Sequence, residues 1–126
     1  MTEPTNVSLT VTADAGLARL VRMTAANVAM LSSMSVDRVE DIKMAAEEAF
    51  IYACGTSAGS ELEISFTADA EHVDMTFTLE GVPAYAEATE EDPTAAYADL
   101  IIGAVCDSYE KRESPATLVM SLKADI

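Results

Sequence analysis

The sequence has little positive charge: seven lysine and arginine residues stand against 22 aspartates and glutamates in 126 residues, a formal net charge of −15. An electric field of this sign repels a nucleic-acid backbone and an anionic membrane, so neither is expected as a partner. The same field would attract a basic protein segment, and it would also keep a protein with no such partner in solution. Composition alone leaves both interpretations open.

Histidine and cysteine are scarce as well, with one and two residues respectively. His72 has no cysteine or second histidine at ligand spacing, so we expect no metal site there. Cys54 and Cys106 are too few for a disulfide framework, and both fall in apolar helical patterns where buried free thiols are expected. The sequence also lacks a G-x-S-x-G motif, a P-loop and a dinucleotide-binding fingerprint.

No apolar run approaches the roughly 20 residues of a membrane span. The first ten residues, MTEPTNVSLT, lack the basic and apolar regions of a signal peptide. We therefore expect a cytoplasmic protein. Half of the residues are apolar, which is enough for one core, and the length predicts a single domain over residues 1–126.

Hydrophobic periodicity predicts four strands and three helices. Alternating apolar residues place the strands at 6–13, 61–68, 72–80 and 116–123. Helical spacing places the helices from Asp14 to about Ser32, from a cap at Asp37 or Ser35 to Cys54 with Gly55 beyond its end, and from Thr94 to Tyr109. An irregular loop is expected at 81–96, and "EKRESP" is expected to be a turn. These elements predict an α+β two-layer sandwich with helices on one face of the sheet.

Helical spacing also predicts which side chains form the core. The expected core residues are Leu17, Leu20, Val21, Val28 and Leu31 in the first helix, Val39, Ile42, Ala46, Ala49, Phe50 and Ala53 in the second, and Leu100, Ile101, Ala104 and Val105 in the third. On the second helix, Glu48 points away from this stripe and lies in another apolar patch with Met44, Ile51 and Tyr52. A catalytic base in a pocket fits that placement, and so does a helix face that contacts a partner.

Two stretches, "VEDIKMAAEEAFIYAC" in the second helix and "LIIGAVCDSYEKRESPATLVMSLK" near the end, carry a resemblance. Together with the order β-α-α-β-β-loop-α-β they resemble the anti-sigma-factor serine kinases, which belong to the GHKL superfamily. The resemblance covers about Val7 to Lys123 and implies the histidine kinase-like (Bergerat-type) ATPase fold. It also implies ATP with Mg²⁺ as cofactors, a sigma factor or an anti-anti-sigma protein as partner, and a possible homodimer.

The resemblance places catalysis and metal binding on the second helix. In the family a glutamate, which serves as general base or positions the attacking group, is followed four residues later by an asparagine that coordinates Mg²⁺. Four residues bring two side chains onto one helix face. Glu48 matches the glutamate, but Tyr52 stands at the asparagine position. A phenol is a poor magnesium ligand, and its ring would fill space that the phosphates need. No metal-binding residue can therefore be assigned.

The other nucleotide-binding positions depart from the family as well. Glu80 stands where the family has an aspartate that binds adenine. Of the two spaced glycines that follow in the family, only Gly81 is present. If Asp107 aligns with a family aspartate, the glycines that open the third helix fall at Ala96 and Ala98. The predicted loop over this site carries four acids, each of which could cost an anionic ligand ~1 kcal/mol or more: Glu87, Glu90, Glu91 and Asp92.

These departures favour a regulatory protein-binding domain that resembles an anti-sigma factor, has a degraded ATP site and has little or no kinase activity. In that case no cofactor is expected. The alternative is an active ATP-dependent serine kinase that phosphorylates an anti-anti-sigma partner and binds ATP and Mg²⁺. A third possibility is a structural subunit of a complex in which the fold is only a scaffold.

Overall fold

The computed structural model describes residues 3–126 and shows an α+β fold. Within that range five strands form one sheet: β1 Thr5–Thr12, β2 Glu61–Ala68, β3 His72–Leu79, β4 Ser108–Arg112 and β5 Thr117–Lys123. Three α-helices accompany them: α1 Ala18–Ala29, α2 Val36–Thr56 and α3 Thr94–Val105. The strand order is β1-β2-β3-β5-β4, and every neighbouring pair is antiparallel. The predicted α+β class is confirmed.

The sheet buries one face and leaves the other polar, as the alternation of apolar residues predicts. Ile64 lies opposite Phe77 and Phe77 opposite Leu118, so the buried face continues across three adjacent strands. The opposite face carries hydroxyl and charged side chains that stay half-exposed, such as Ser65 and Thr76. Helices cover only the buried face, and their inward residues join the strands in one hydrophobic cluster.

Strand β4 corrects the prediction of a turn at "EKRESP". Its residues SYEKR are mostly exposed, and Tyr109 is its one large half-buried aromatic side chain. Short, charged edge strands of this kind lack the alternating pattern on which strand prediction depends. Because β4 begins at Ser108, α3 ends at Val105 and not at the predicted Tyr109.

The helix ends also differ from the prediction. Asp14 caps a short 3-10 turn, Ala15–Leu17, and α1 starts only after it. At α2 the cap is Ser35, because its Oγ accepts a hydrogen bond from the backbone N of Arg38 at 3.1 Å. Gly55 lies inside α2 and not beyond its end.

The predicted core of α3 is wrong. Leu100 is 70% exposed and Ala104 is also exposed, whereas Ile101 and Val105 are half-buried. The buried side chains of the helix are Ala95, Ala98 and Ile102. Because α3 is apolar all round, its hydrophobic pattern does not indicate which side faces the core. Leu20 of α1 and Leu31, which lies beyond the end of that helix, are likewise exposed, whereas Val21 and Val28 of α1 are buried as predicted.

Arg38, near the start of α2, ties three elements together. Its guanidinium donates to the carbonyl oxygen of Val105 at 2.9 Å, to that of Lys123 at 2.8 Å and to the Asp107 carboxylate at 2.5 Å. Asp107 also accepts from the backbone N of Lys123 at 2.6 Å. A cation at the last carbonyl of α3 also interacts favourably with the helix dipole. The structure therefore gives Arg38 and Asp107 a shared role in joining α2, α3 and β5.

None of the helices within residues 3–126 combines the length and the apolar composition that crossing a membrane requires.

Candidate functional site

The side chain of Tyr52 is buried, with 2% of its surface exposed, near the C-terminal end of α2. Its hydroxyl donates to the carbonyl oxygen of Ala86 at 2.5 Å and accepts from the Nζ of Lys111 at 3.2 Å. Tyr52 therefore does not share the exposed patch with Met44 and Ile51, which are 47% and 41% exposed. Tyr52, which the resemblance predicts to stand at a magnesium-ligand position, is a buried ring whose hydroxyl both donates and accepts a hydrogen bond.

A second tyrosine packs against this ring. The centroids of Tyr52 and Tyr85 lie 4.9 Å apart with the planes tilted by 55°, which is a favourable arrangement for two aromatic rings. The Tyr85 hydroxyl donates to the carbonyl oxygen of Phe77 on β3 at 3.0 Å. Burial, followed by the proximity of Tyr52 and Cys54, raises the pKa of Tyr85, so this phenol stays protonated.

Three further side chains complete the group. Asp99 of α3 accepts from the Tyr109 hydroxyl at 2.7 Å and from the Nζ of Lys111 at 2.8 Å. That Nζ also lies 5.4 Å from the centroid of the Tyr52 ring, within cation–π range. We call these residues the tyrosine cluster: Tyr52, Tyr85, Asp99, Tyr109 and Lys111.

The raised pKa values of Tyr109 and Lys111 keep both groups protonated, so both remain hydrogen-bond donors. Burial raises the pKa of Tyr109, and its hydrogen bond to Asp99 raises that pKa further, so the phenol stays a donor. For Lys111, burial lowers the pKa, but the hydrogen bonds to Asp99 and Tyr52 outweigh that effect and the pKa is raised overall. The ammonium group therefore stays charged between Asp99 and Tyr52 at neutral pH.

Little space remains beside the cluster. A cleft of about 70 Å³ lies between the end of α2, the following loop and the start of α3. Sites for small molecules usually measure about 300–1,000 Å³. Among the residues that the structure describes, those lining this cleft include two acids and no basic side chain: Tyr52, Gly55, Thr56, Ala86, Glu87, Asp92, Thr94 and Ala95.

The start of α3 already has an anion of its own. The Asp92 carboxylate accepts from the backbone N of Thr94 at 3.1 Å and from its hydroxyl at 2.5 Å. These hydrogen bonds lower the pKa of Asp92, so it is ionised at neutral pH. A phosphate at this helix N-terminus would have to displace or approach this carboxylate.

Of the six positions that the resemblance assigns to the nucleotide site, the structure places only Tyr52 at the cleft. Ala98 is buried in the core with 2% exposure, and Ala96 is exposed on the outer side of α3. Glu80 is exposed after β3, and Gly81 follows it with φ at +74°, a conformation that favours glycine. Most of these positions therefore do not meet at the cleft beside Tyr52.

Glu48 is half-exposed, one helical turn before Tyr52. Burial raises its pKa, and repulsion from Glu47 raises it further. It does not line the cleft beside Tyr52.

Sequence reasoning missed most of the tyrosine cluster. Lys111 was expected to lie in the turn "EKRESP", and Tyr109 was expected to end a helix. Both lie on β4, where residues two apart point to the same face of a strand. The signal was Asp99, which is the one charged residue within the apolar stretch Thr94–Val105 and therefore needs a partner.

The cysteines are free and half-buried. Burial raises the pKa of Cys54 and, to about 12, that of Cys106, so neither thiol is a ready nucleophile. His72 lies between two carboxylates, with Nδ1 at 3.1 Å from Asp69 and Nε2 at 3.3 Å from Asp74. Within residues 3–126, no three histidine, cysteine, aspartate or glutamate side chains are grouped in a way that could hold a metal ion.

A scan against protein-family models found no match, and a search of curated proteins found no significant match.

Replacement of Glu48 by glutamine should stabilise the protein at pH 7, within about 0.5 kcal/mol, the range of surface substitutions. Because the folded pKa is raised, the folded state binds more protons than the unfolded state, and Glu48 destabilises the fold at high pH. The stability gained by Glu48→Gln should be complete above the pKa of Glu48 in the folded state. It should vanish below the pKa of the unfolded state, about 4.3. Urea unfolding of both proteins at pH 7 and pH 4 measures the difference.

The neighbouring glutamate is the matched control. Glu47 pairs with Arg22 at 3.0 Å, so Glu47→Gln should lose that pair and gain no stability at pH 7. If Glu48→Gln destabilises at pH 7, or if its effect is the same at both pH values, the burial of Glu48 does not have the energetic consequence assigned to it.

Proposed function

We propose that this chain is a regulatory protein-binding domain of the histidine kinase-like ATPase fold, resembling an anti-sigma factor, in which the tyrosine cluster has replaced the nucleotide. The observation that carries the proposal is the burial of Tyr52 at the position of the magnesium-binding asparagine. Its hydroxyl and ring are held by Ala86, Tyr85 and Lys111. By the resemblance, a triphosphate with its Mg²⁺ would need the space that this ring fills.

The partner is a protein, by resemblance a sigma factor or an anti-anti-sigma protein in the cytoplasm. Without phosphoryl transfer, exchange between partners would depend on competition for binding. The net charge of −15 supports a partner with a basic segment, because opposite charges accelerate association and help to select the partner.

One observation favours the alternative of an active serine kinase: the raised pKa of Glu48, the predicted base. Perturbed pKa values often mark catalytic acids and bases. Against it, Glu48 is half-exposed and does not line the cleft beside Tyr52.

Isothermal titration calorimetry with ATP, in the presence and absence of Mg²⁺, tests the proposal directly. The wild-type protein should show no binding up to 1 mM nucleotide, since the cleft of about 70 Å³ is far below the size of a ligand site. Micromolar binding that depends on Mg²⁺ would overturn the proposal and establish the kinase as the better interpretation.

The variant Tyr52→Asn is the matched comparison, because it removes the ring and introduces the family's amide. Its fold is first checked by circular dichroism. Nucleotide binding by the variant alone would identify Tyr52 as the obstacle. If neither protein binds, the Asp92 carboxylate and the small cleft suffice to exclude the ligand. The wild-type titration decides between the two functions in either case.

A further inference from the structure

The outer side of α3 is an apolar surface with no covering. Pro93, Ala96, Tyr97 and Leu100, together with Thr94, line a shallow groove of about 490 Å³. Tyr97 is 62% exposed and Leu100 is 70% exposed. We call this surface the α3 groove.

The composition of α3 sets it apart from an ordinary surface helix. Asp99 is the one charged residue between Thr94 and Val105, and its carboxylate is engaged by Tyr109 and Lys111. No charge on the helix is therefore left to face solvent at the groove. A helix that is apolar all round is normally covered on all sides, so the exposed side of α3 needs a partner.

An acidic segment borders one end of the groove. Glu87, Glu90, Glu91 and Asp92 are all exposed, and Asp92 directly precedes the first residue of the groove. The segment is ordered: the backbone N of Thr89 donates to the carbonyl oxygen of Asp92 and the backbone N of Asp92 to the Thr89 hydroxyl, both at 3.0 Å. These bonds hold the backbone that carries Glu90, Glu91 and Asp92 directly before Pro93, the first residue of the groove.

We infer that the α3 groove is the docking surface for a basic amphipathic helix of a partner protein. This inference rests on the proposed function and adds to it the surface and the chemistry of the partner. Leucine-like side chains of the partner would pack on Tyr97 and Leu100, and its lysines or arginines would lie along the acidic segment. The part of α3 that lines the groove, Thr94 to Leu100, extends about 10 Å, enough to accommodate about two turns of a partner helix.

The charge argues against a second copy of this chain as the occupant. Two copies joined at the α3 groove would bring together two acidic segments, each on a protein of net charge −15. Like charges facing each other across an interface cost several kcal/mol. A basic helix gains from the same field.

A defined peptide tests the docking surface without knowledge of the natural partner. The probe is an 18-residue, fluorescently labelled peptide of leucine and lysine with leucines at helical spacing, and its control is a scrambled peptide of identical composition. We expect the helical peptide to bind the full chain with a micromolar Kd, at least tenfold tighter than the scrambled one. In ¹⁵N-labelled protein, the amide shifts should change over residues 90–104.

Variants localise the site. Leu100→Asp should raise the Kd at least tenfold, and Tyr97→Ser should also raise it. The matched control is Met30→Asp, at a methionine that is 75% exposed at the end of α1, and it should change Kd less than twofold. The double variant Glu90→Gln and Glu91→Gln should weaken binding and reduce its salt dependence. Circular dichroism confirms that each variant is folded.

Three results would overturn the inference: equal binding of the scrambled peptide, shift changes centred on Met30 and not on α3, or an unchanged Kd for Leu100→Asp. Self-association in sedimentation that Leu100→Asp abolishes would assign the α3 groove to a second copy. Nucleotide calorimetry distinguishes failure of the docking surface from failure of the proposed function. Failure of the peptide without ATP binding rejects only the docking surface, whereas ATP binding by the wild type rejects only the replaced nucleotide site.

Discussion

Replacement of Arg38 by alanine should lower the free energy of unfolding by about 3 kcal/mol, since a mostly buried, hydrogen-bonded charge is lost from its partners. Only 14% of the Arg38 side chain is exposed. The substitution leaves the Asp107 carboxylate with one fewer donor and removes the donors to the carbonyl oxygens of Val105 and Lys123. Urea unfolding at pH 7 and 150 mM NaCl, followed by circular dichroism, measures the loss.

Two control variants distinguish the effect of the buried position of Arg38 from the effect of its charge. Arg112 pairs with Glu110 at 3.0 Å, but both side chains are about 60% exposed, so Arg112→Ala should cost no more than about 0.5 kcal/mol. Arg38→Lys keeps the charge but cannot reach the same partners at once, so it should recover only part of the loss. Equal costs for Arg38→Ala and Arg112→Ala would contradict the role assigned to Arg38 in joining α2, α3 and β5.

Truncation of Tyr52 to alanine should destabilise the protein by about 4 kcal/mol, the cost of removing a large buried aromatic side chain. Tyr52→Phe keeps the ring against Tyr85 and loses only the hydroxyl, so it should cost about 1 kcal/mol. The hydroxyl also holds Ala86, and amide hydrogen exchange in residues 86–92 should therefore accelerate in the phenylalanine variant. Thermal and urea unfolding give the energies, and exchange detected by mass spectrometry gives the effect on the loop.

An exposed tyrosine on the neighbouring helix serves as the reference for Tyr52. Tyr97 is 62% exposed, and Tyr97→Ala should change stability by less than about 0.5 kcal/mol. A loss for Tyr52→Ala as small as this would mean that the ring does not fill the space beside α3 and would not obstruct a bound nucleotide.

The sequence predicts the elements of this fold wherever one face of an element is polar. Strands β2 and β3 alternate strictly, and their predicted ends agree with the structure to within one residue. The buried side of α2 was also correct for Ile42, Ala49 and Phe50. Two elements were predicted wrongly for identifiable reasons: α3 is apolar on every side, so its sequence does not show which side is buried, and the edge strand β4 is too polar to alternate. The core prediction for Leu20 of α1 was also wrong.

The candidate site could be predicted only in part, because it depends on contacts between distant segments. The substitution of Tyr52 for a magnesium ligand was visible in the sequence. Its burial, its contact with Tyr85 and its hydrogen bond to Lys111 were not, because they require β4 to pair with β5 and the loop after β3 to return to α2. Arg38 carried no sequence signal, since nothing local predicts its partners in α3 and β5.

The position of β5 between β3 and β4 has a consequence during synthesis on the ribosome. Residues 117–123 form β5, which is synthesised after the other four strands. In the sheet, β5 lies between β3 and β4, which do not pair with each other. Until β5 emerges, the edge of β3 stays open beside the apolar side chains of Val73, Met75 and Phe77. Nascent chains of this protein should therefore be most prone to aggregation just before residues 117–123 leave the exit tunnel.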